Sequence, residues 1–153
     1  MKRFIFRLET LLKHRETLED LREQEFAVAQ GRHDAARQQL DALLTHYRQT
    51  VAERPGAETG SRFNAPAIQS REKYIEALQQ QIAQQTEHIE LARLIAEEMR
   101  VEMVAAKQKR EAVSQLRDKD HADYVAEVQR KTQEGLDEIA SMRFARQQSN
   151  EQA

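Results

Sequence analysis

Residues 68 to 103 read IQSREKYIEALQQQIAQQTEHIELARLIAEEMRVEM. Ile68, Ile75, Ile82 and Ile89 stand seven residues apart, and Ala96 and Met103 continue their register. Leu78, Ala92, Met99, Ala106 and Val113 hold a companion position. Two apolar positions per seven residues are what one helix needs to pair with another in a left-handed coiled coil. Such a pair encloses no pocket. A chain built this way acts through its length, its ends and its outer faces.

Composition fits that reading. The chain has 153 residues, of which 33% are charged and only 5% aromatic. Four Gly and two Pro are too few to punctuate a sheet protein. Ala, Glu, Lys, Leu, Arg and Gln dominate, as in long helices. Disorder competes for such a polar composition, but the heptads argue against it. Cysteine is absent, which excludes disulfides, thiol chemistry and Cys-ligated zinc. A net charge of -2 gives no basic excess pointing to nucleic acid. After Met1-Lys2-Arg3 only Phe4-Ile5-Phe6 precedes Arg7, too short an apolar core for a signal peptide. Nothing later approaches a membrane span. A cytoplasmic protein is expected.

The stretch Arg54-Pro-Gly-Ala-Glu-Thr-Gly-Ser-Arg-Phe-Asn-Ala-Pro66 alone breaks the helical pattern. It holds both prolines, so neither helix is expected to run through it. Asn64 is a candidate cap, and Pro66 fits a first helical turn. The sequence therefore predicts one all-α coiled-coil domain. It consists of a first helix over about 7–53, a loop over 54–66 and a second helix over about 67–148. Antiparallel packing is the economical arrangement.

The first helix has the weaker pattern. Leu11 and Leu18 are seven apart, as are Leu21, Val28, Ala35 and Ala42; Leu40 with Tyr47 and Leu44 with Val51 are further pairs. Arg15, Arg32 and Gln39 interrupt, and Gly31 softens the middle. A turn centred near residue 60 sets Tyr47 opposite Lys73 and Leu8 opposite Ala112. The second helix then overhangs the first by its last 35 or so residues. There the spacing changes to eleven: Val113 to Tyr124, Val125 to Leu136, Val128 to Ile139. Met142 and Phe144 extend the stripe. An apolar stripe without a partner in the chain points to one outside it. The competing reading bends the chain near Asp118-Lys119-Asp120 and folds the tail back as a third helix.

No pattern of catalytic chemistry emerges. His14, His33, His46, His88 and His121 include no i, i+4 pair for a metal. Asp118, Asp120, His121 and Asp123 cluster, but a helix cannot aim all four at one ion. Paired carboxylates such as Glu97-Glu98 lack the concave apolar site that raises a carboxyl pKa. There is no phosphate loop or nucleophile elbow, so neither enzyme activity nor a cofactor is expected. Arg100, Lys107, Lys109, Arg110 and Arg117 lack interleaved aromatics, which argues against nucleic acid. Residues 1 to 15 carry five basic side chains and one acid, while residues 16 to 25 carry five acids and one base. The acidic block reads as a solvated helix face. The basic end, beside Phe4, Ile5 and Phe6, has the makings of an interaction tip.

The run Phe4-Ile-Phe-Arg-Leu-Glu-Thr-Leu-Leu-Lys-His-Arg15 resembles the start of the flagellar export protein FliJ family. Glu19-Asp20, Glu25-Phe-Ala-Val-Ala29 and the tail Leu136-Asp-Glu-Ile-Ala-Ser-Met-Arg-Phe-Ala-Arg146 are similar to it too. The resemblance implies an antiparallel coiled-coil stalk of the type III export apparatus, cytoplasmic and peripheral to the inner membrane at the flagellar base. It implies docking in the hexameric export ATPase ring, promotion of ring assembly and activity, and contact with the export gate and with substrate chaperones. The ring-facing surface is then Phe4, Phe6, Leu8, Val125, Val128, Leu136, Ile139 and Met142. The gate-facing surface is Gln39, Leu43, Tyr47, Tyr74 and Leu78, with helix packing the alternative for Leu43, Tyr47 and Leu78. A monomer without membrane insertion is expected. A virulence-type secretion stalk and a self-associating structural coiled coil are the alternatives.

Overall fold

The computed structural model describes residues 3–53 and 65–151, with side chains through residue 148. Two helices account for nearly all of it: α1, Glu9–Ala52, and α2, Ala65–Glu151. Their lengths are 44 and 87 residues, and no strand occurs among the described residues. The expected all-α pair of long helices is what forms. The loop, with its candidate cap Asn64, lies outside the described residues apart from its last two positions. These, Ala65 and Pro66, already belong to α2. Proline is tolerated there because the first-turn N–H groups have no intrahelical partner. At its other end α2 continues to Glu151, past the expected stop.

The chain packs as two compact units, Glu19–Ala106 and Met1–Leu18 with Lys107–Ala153. In the first, α1 and α2 run antiparallel. The order is set by cross-helix contacts: Thr50 with Arg71, Tyr47 with Gln79, Ala36 and Gln39 with Gln85, and Arg22 with Glu102. The α2 seam is as the isoleucines foretell. Leu78 is 3% exposed, Ala92 and Ala96 are buried, and Ile68, Ile75, Ile82, Ile89 and Met99 are half-buried. Alanines at these positions, with Ala29 and Ala36 of α1, let the backbones approach closely.

The α1 seam differs from the expected one. Leu21, Val28, Ala35 and Ala42 keep their heptad but lie on the exposed face. The covered positions are Glu19, Phe26, His33, Leu40 and Tyr47 in one row and Arg22, Ala29, Ala36, Leu43 and Thr50 in the other. Glu19, Arg22 and His33 thus sit in the seam. An amphipathic stem explains Arg22, whose methylenes cover apolar surface while its head reaches the rim; Glu19, 9% exposed, is buried. Arg22 Nη1 donates to Glu25 Oε2 at 2.7 Å and lies 2.7 Å from Glu102 Oε2 of α2. Glu102 Oε2 accepts no hydrogen bond, so that cross-helix contact is an ion pair lying off the N–H direction. Gly31 does not interrupt α1, which runs through it.

The second unit sets the start of α1 beside residues 107 onward of α2. Glu9 faces Arg117 at 3.5 Å, several residues further along α2 than the expected pairing of Leu8 with Ala112. Residues 3–8 precede the helix and extend the pairing. Glu9 N–H bonds the Phe6 carbonyl at 3.3 Å, and Phe6, 5% exposed, is buried, as is Leu12. Phe4 meets His121 edge-on, ring centres 5.0 Å apart, and Tyr124 at 5.5 Å. Coverage of α2 therefore reaches Tyr124, and the uncovered length is shorter than expected. α2 is continuous through Asp118-Lys119-Asp120, so the tail does not turn back there as a third helix. Between residues 129 and 148 every described residue except Gly135 is exposed.

Candidate interaction surfaces

The tail of α2 is amphipathic without a partner among the described residues. Its polar face is stitched along the helix. Arg130 donates to Glu127 through Nε and Nη2 at 3.1 and 3.0 Å and to Glu134 through Nη1 at 2.8 Å. Lys131 joins Glu127 at 3.0 Å. These hydrogen bonds, from Arg130 first and Lys131 second, pull the pKa of the Glu127 carboxyl down to about 2. Gln133 donates to Asp137 at 2.8 Å. Such i, i+3 and i, i+4 contacts hold a single helix that no tertiary packing supports.

Along the other face stand Val125, Val128, Leu136, Ile139 and Met142; Phe144, expected to extend the stripe, is two residues past Met142 and so falls on the polar side, one heptad beyond Asp137. Leu136, Ile139 and Met142 are 57%, 51% and 52% exposed. Gly135 opens a notch among Val128, Thr132, Leu136 and Ile139, and a Cβ placed there would meet nothing within 4 Å. Val128, Gly135 and Met142 are seven apart, as are Val125, Thr132 and Ile139. The tail thus offers a heptad face of its own, and the eleven-residue spacing is its coarser trace.

Of the N-terminal residues expected beside this stripe, Leu8 is exposed, Phe4 half-buried and Phe6 buried. Phe6 is a packing residue because the Glu9 turn folds it inward. The structure joins Phe4 to the α2 stem at Tyr124 rather than to the stripe beyond it. His121 gives its ring to Phe4, and among the described residues no group of His, Asp and Glu is arranged to hold a metal.

In the unit Glu19–Ala106, four of the five residues expected to face the gate reach the surface to differing degrees. Tyr74 is 45% exposed, its ring edge-on to His46 with centres 5.7 Å apart. Its hydroxyl lies 3.3 Å from His46 Nδ1. Tyr47 is half-buried and its hydroxyl accepts from Gln79 Nε2 at 3.2 Å. Gln39 is exposed and its Oε1 accepts from Gln85 Nε2 at 3.1 Å; Leu43 is half-buried. Leu78, at 3% exposed, is a seam residue and offers no surface.

Two residues outside the expected surface organise this region. Arg71 donates through Nε and Nη2 to the Thr50 carbonyl, 3.2 and 2.8 Å, and through Nη2 to the Val51 carbonyl, 2.9 Å. These are among the last carbonyls of α1, which have no intrahelical donor. α1 has no basic residue in its last turn, so Arg71 of the facing helix supplies the cation. Gln85 donates to the Ala36 carbonyl at 2.9 Å. Both are marked in the sequence: stepping seven residues either side of Leu78 lands on Arg71 and Gln85.

No helix among the described residues is long and apolar enough to cross a membrane. No curated protein and no solved structure matches the chain. A family model described as flagellar FliJ protein matches residues 4–149, which takes in both the tucked N-terminal segment and the uncovered tail. A match from end to end, on a chain that forms the two long helices its heptads require, places the protein in the FliJ family, with a role associated with flagellar protein export.

Proposed function

We propose that the chain is a non-enzymatic stalk of the export apparatus, docking by the tail of α2 into the hexameric export ATPase and reaching the export gate by the Tyr74 end. The uncovered stripe Leu136, Ile139, Met142 carries this reading. About twenty helical residues without tertiary support are marginal in water, so the stripe has use for an external partner. A single asymmetric helix inside a six-fold ring contacts its subunits unequally. It therefore biases their interfaces without supplying a catalytic group. Tyr74, held by His46, and the exposed Gln39 form the gate-facing surface, and substrate chaperones complete the partner set.

The test is stimulation of the purified export ATPase. Truncation after Ala126 keeps Tyr124 against Phe4 and removes the stripe. The truncated chain is expected to retain the helicity of the remainder and to lose stimulation. Full stimulation by a folded truncated chain would falsify the role of the tail. Tyr74→Ala is expected to weaken capture of the gate's cytosolic domain while leaving stimulation intact.

A further inference from the structure

Gly135 stands in the middle of a face that α2 carries without a break. Glu9 meets that face at Arg117, and Phe4 meets it at His121 and Tyr124. At about 100° per residue, Val128, Gly135, Ile139 and Met142 fall on the same side of the helix, with Gly135 about five turns beyond Arg117. The start of the chain therefore covers the first part of the face, and the part around Gly135 continues it. Ile139 and Met142 on that continuation are exposed.

A glycine inside a helix is less favourable than an alanine, and it suits a position that another group must approach closely. No group of this chain makes that approach, since a Cβ at Gly135 would meet nothing within 4 Å. Val128, Leu136 and Ile139 give the notch apolar walls. The charges at its rim answer one another: Glu127 accepts from Arg130 and is paired with Lys131. The notch therefore asks no charge of its occupant. Gly31 is equally open, but it lies on the side of α1 away from the seam, two residues from both Ala29 and His33. It makes a matched control.

We infer that the notch at Gly135 receives a bulky apolar side chain from a subunit of the hexameric export ATPase, as a knob enters a hole. The contact takes up the α2 face where the start of the chain leaves it. This rests on the docking of the tail in that ring, and it names the residue that sets how closely ring and tail approach. The missing Cβ calls for bulk, and the self-neutralised rim calls for an apolar group. A second copy is the poorer occupant, because two tails paired symmetrically about Gly135 set hole against hole.

The test is titration of the full chain into the purified export ATPase, with turnover read against chain concentration. Gly135→Ala adds one methyl and is expected to raise helicity in circular dichroism. It is nevertheless expected to raise the concentration for half-maximal stimulation roughly several-fold, because the notch becomes overfilled. Gly135→Leu is expected to raise it by more than roughly tenfold. Gly31→Ala is expected to raise helicity as well and to leave the titration unchanged. A defect that accompanies a better-formed helix is not a folding defect. Gly135 variants that titrate as the wild type does overturn the inference, and the stalk reading survives if truncation after Ala126 still abolishes stimulation. Equal losses in Gly31→Ala overturn the inference too. Full stimulation by the truncated chain, or none by the wild type, removes both. Gly135 variants that lower the sedimenting mass of the chain alone, with stimulation unchanged, would assign the notch to a second copy and overturn the inference.

Discussion

The two helices that face each other fill their seams by different means. α2 presents a nearly uninterrupted apolar row, Ile68, Ile75, Ile82, Ile89, Ala96 and Met103. α1 answers with Glu19, Phe26, His33, Leu40 and Tyr47, and beside them Arg22, Ala29, Ala36, Leu43 and Thr50. One side supplies burial. The other supplies groups that fit in only one place: Arg22 against Glu102, and the Ala36 carbonyl and Gln39 amide against Gln85. A row of isoleucines alone is satisfied by many registers, whereas a polar side chain displaced by seven residues loses its partner. Burial and register can therefore be divided between the halves of a hairpin.

Four experiments challenge that division of labour. The largest effect is expected on the burial side. Leu78→Ala empties one of the most enclosed positions and should destabilise the pair by about 2–5 kcal/mol in denaturant unfolding. A loss under about 1 kcal/mol would mean that the α2 row matters less than its regularity implies. Next comes Arg71→Ala, which removes three hydrogen bonds to the end of α1. About 1 kcal/mol is expected, together with faster amide exchange over the final turn of α1 and no change near Arg22. Uniform exchange changes along α1 would show that Arg71 acts on the whole pair rather than on its end.

Gly31→Ala tests the weaker helix directly. Space for the methyl is open, with nothing within 4 Å, so α1 should gain about 0.5–1 kcal/mol from propensity alone, read as a raised unfolding midpoint. The smallest effect belongs to the tail. Glu127 is held at about 2, below the 4.5 of an ordinary glutamate, by Arg130 and Lys131. A depressed carboxyl contributes stability that is fully present above about 4.5 and fades as pH falls toward 2. Amide exchange in residues 127–134, corrected for its intrinsic pH dependence, should therefore quicken across that window, and Glu127→Gln should flatten the response. The groups are exposed, so added salt should shrink it. An unchanged profile in the Gln variant would show that other carboxylates carry the acid response.

Legibility in the sequence followed the same division. The α2 seam could be read because one residue type repeats, and a sustained apolar heptad points to helix pairing above all else. The α1 seam could not be read in the same way. Leu21, Val28, Ala35 and Ala42 form a cleaner heptad than the true one, and hydrophobicity alone prefers them. Their neighbours won because Arg22 covers surface with its stem, and because α2 brings Glu102 to Arg22. The tail stripe was legible from its apolar residues, but its starting point was not. Phe4 and Phe6 lie outside any helix, and no helical period announces that residues 3–8 will cover α2 as far as Tyr124. Among the residues expected to face the gate, Leu78 could be assigned to packing from its place in the seam. The hold of His46 on Tyr74 could not, since nothing in either local pattern pairs them.

Arg71 has one more implication, for how this chain can change over evolution. A helix end is often secured by the residues immediately after it. Here the end of α1 is secured from across the pair, by a residue six positions beyond the start of α2. That part of the capping does not depend on the length of the connection between Glu53 and Ala65. Closing a longer loop is entropically mild, about 0.6 kcal/mol for each doubling. Insertions there should thus be tolerated, and a tag, label or small domain can be carried at that end without disturbing either seam.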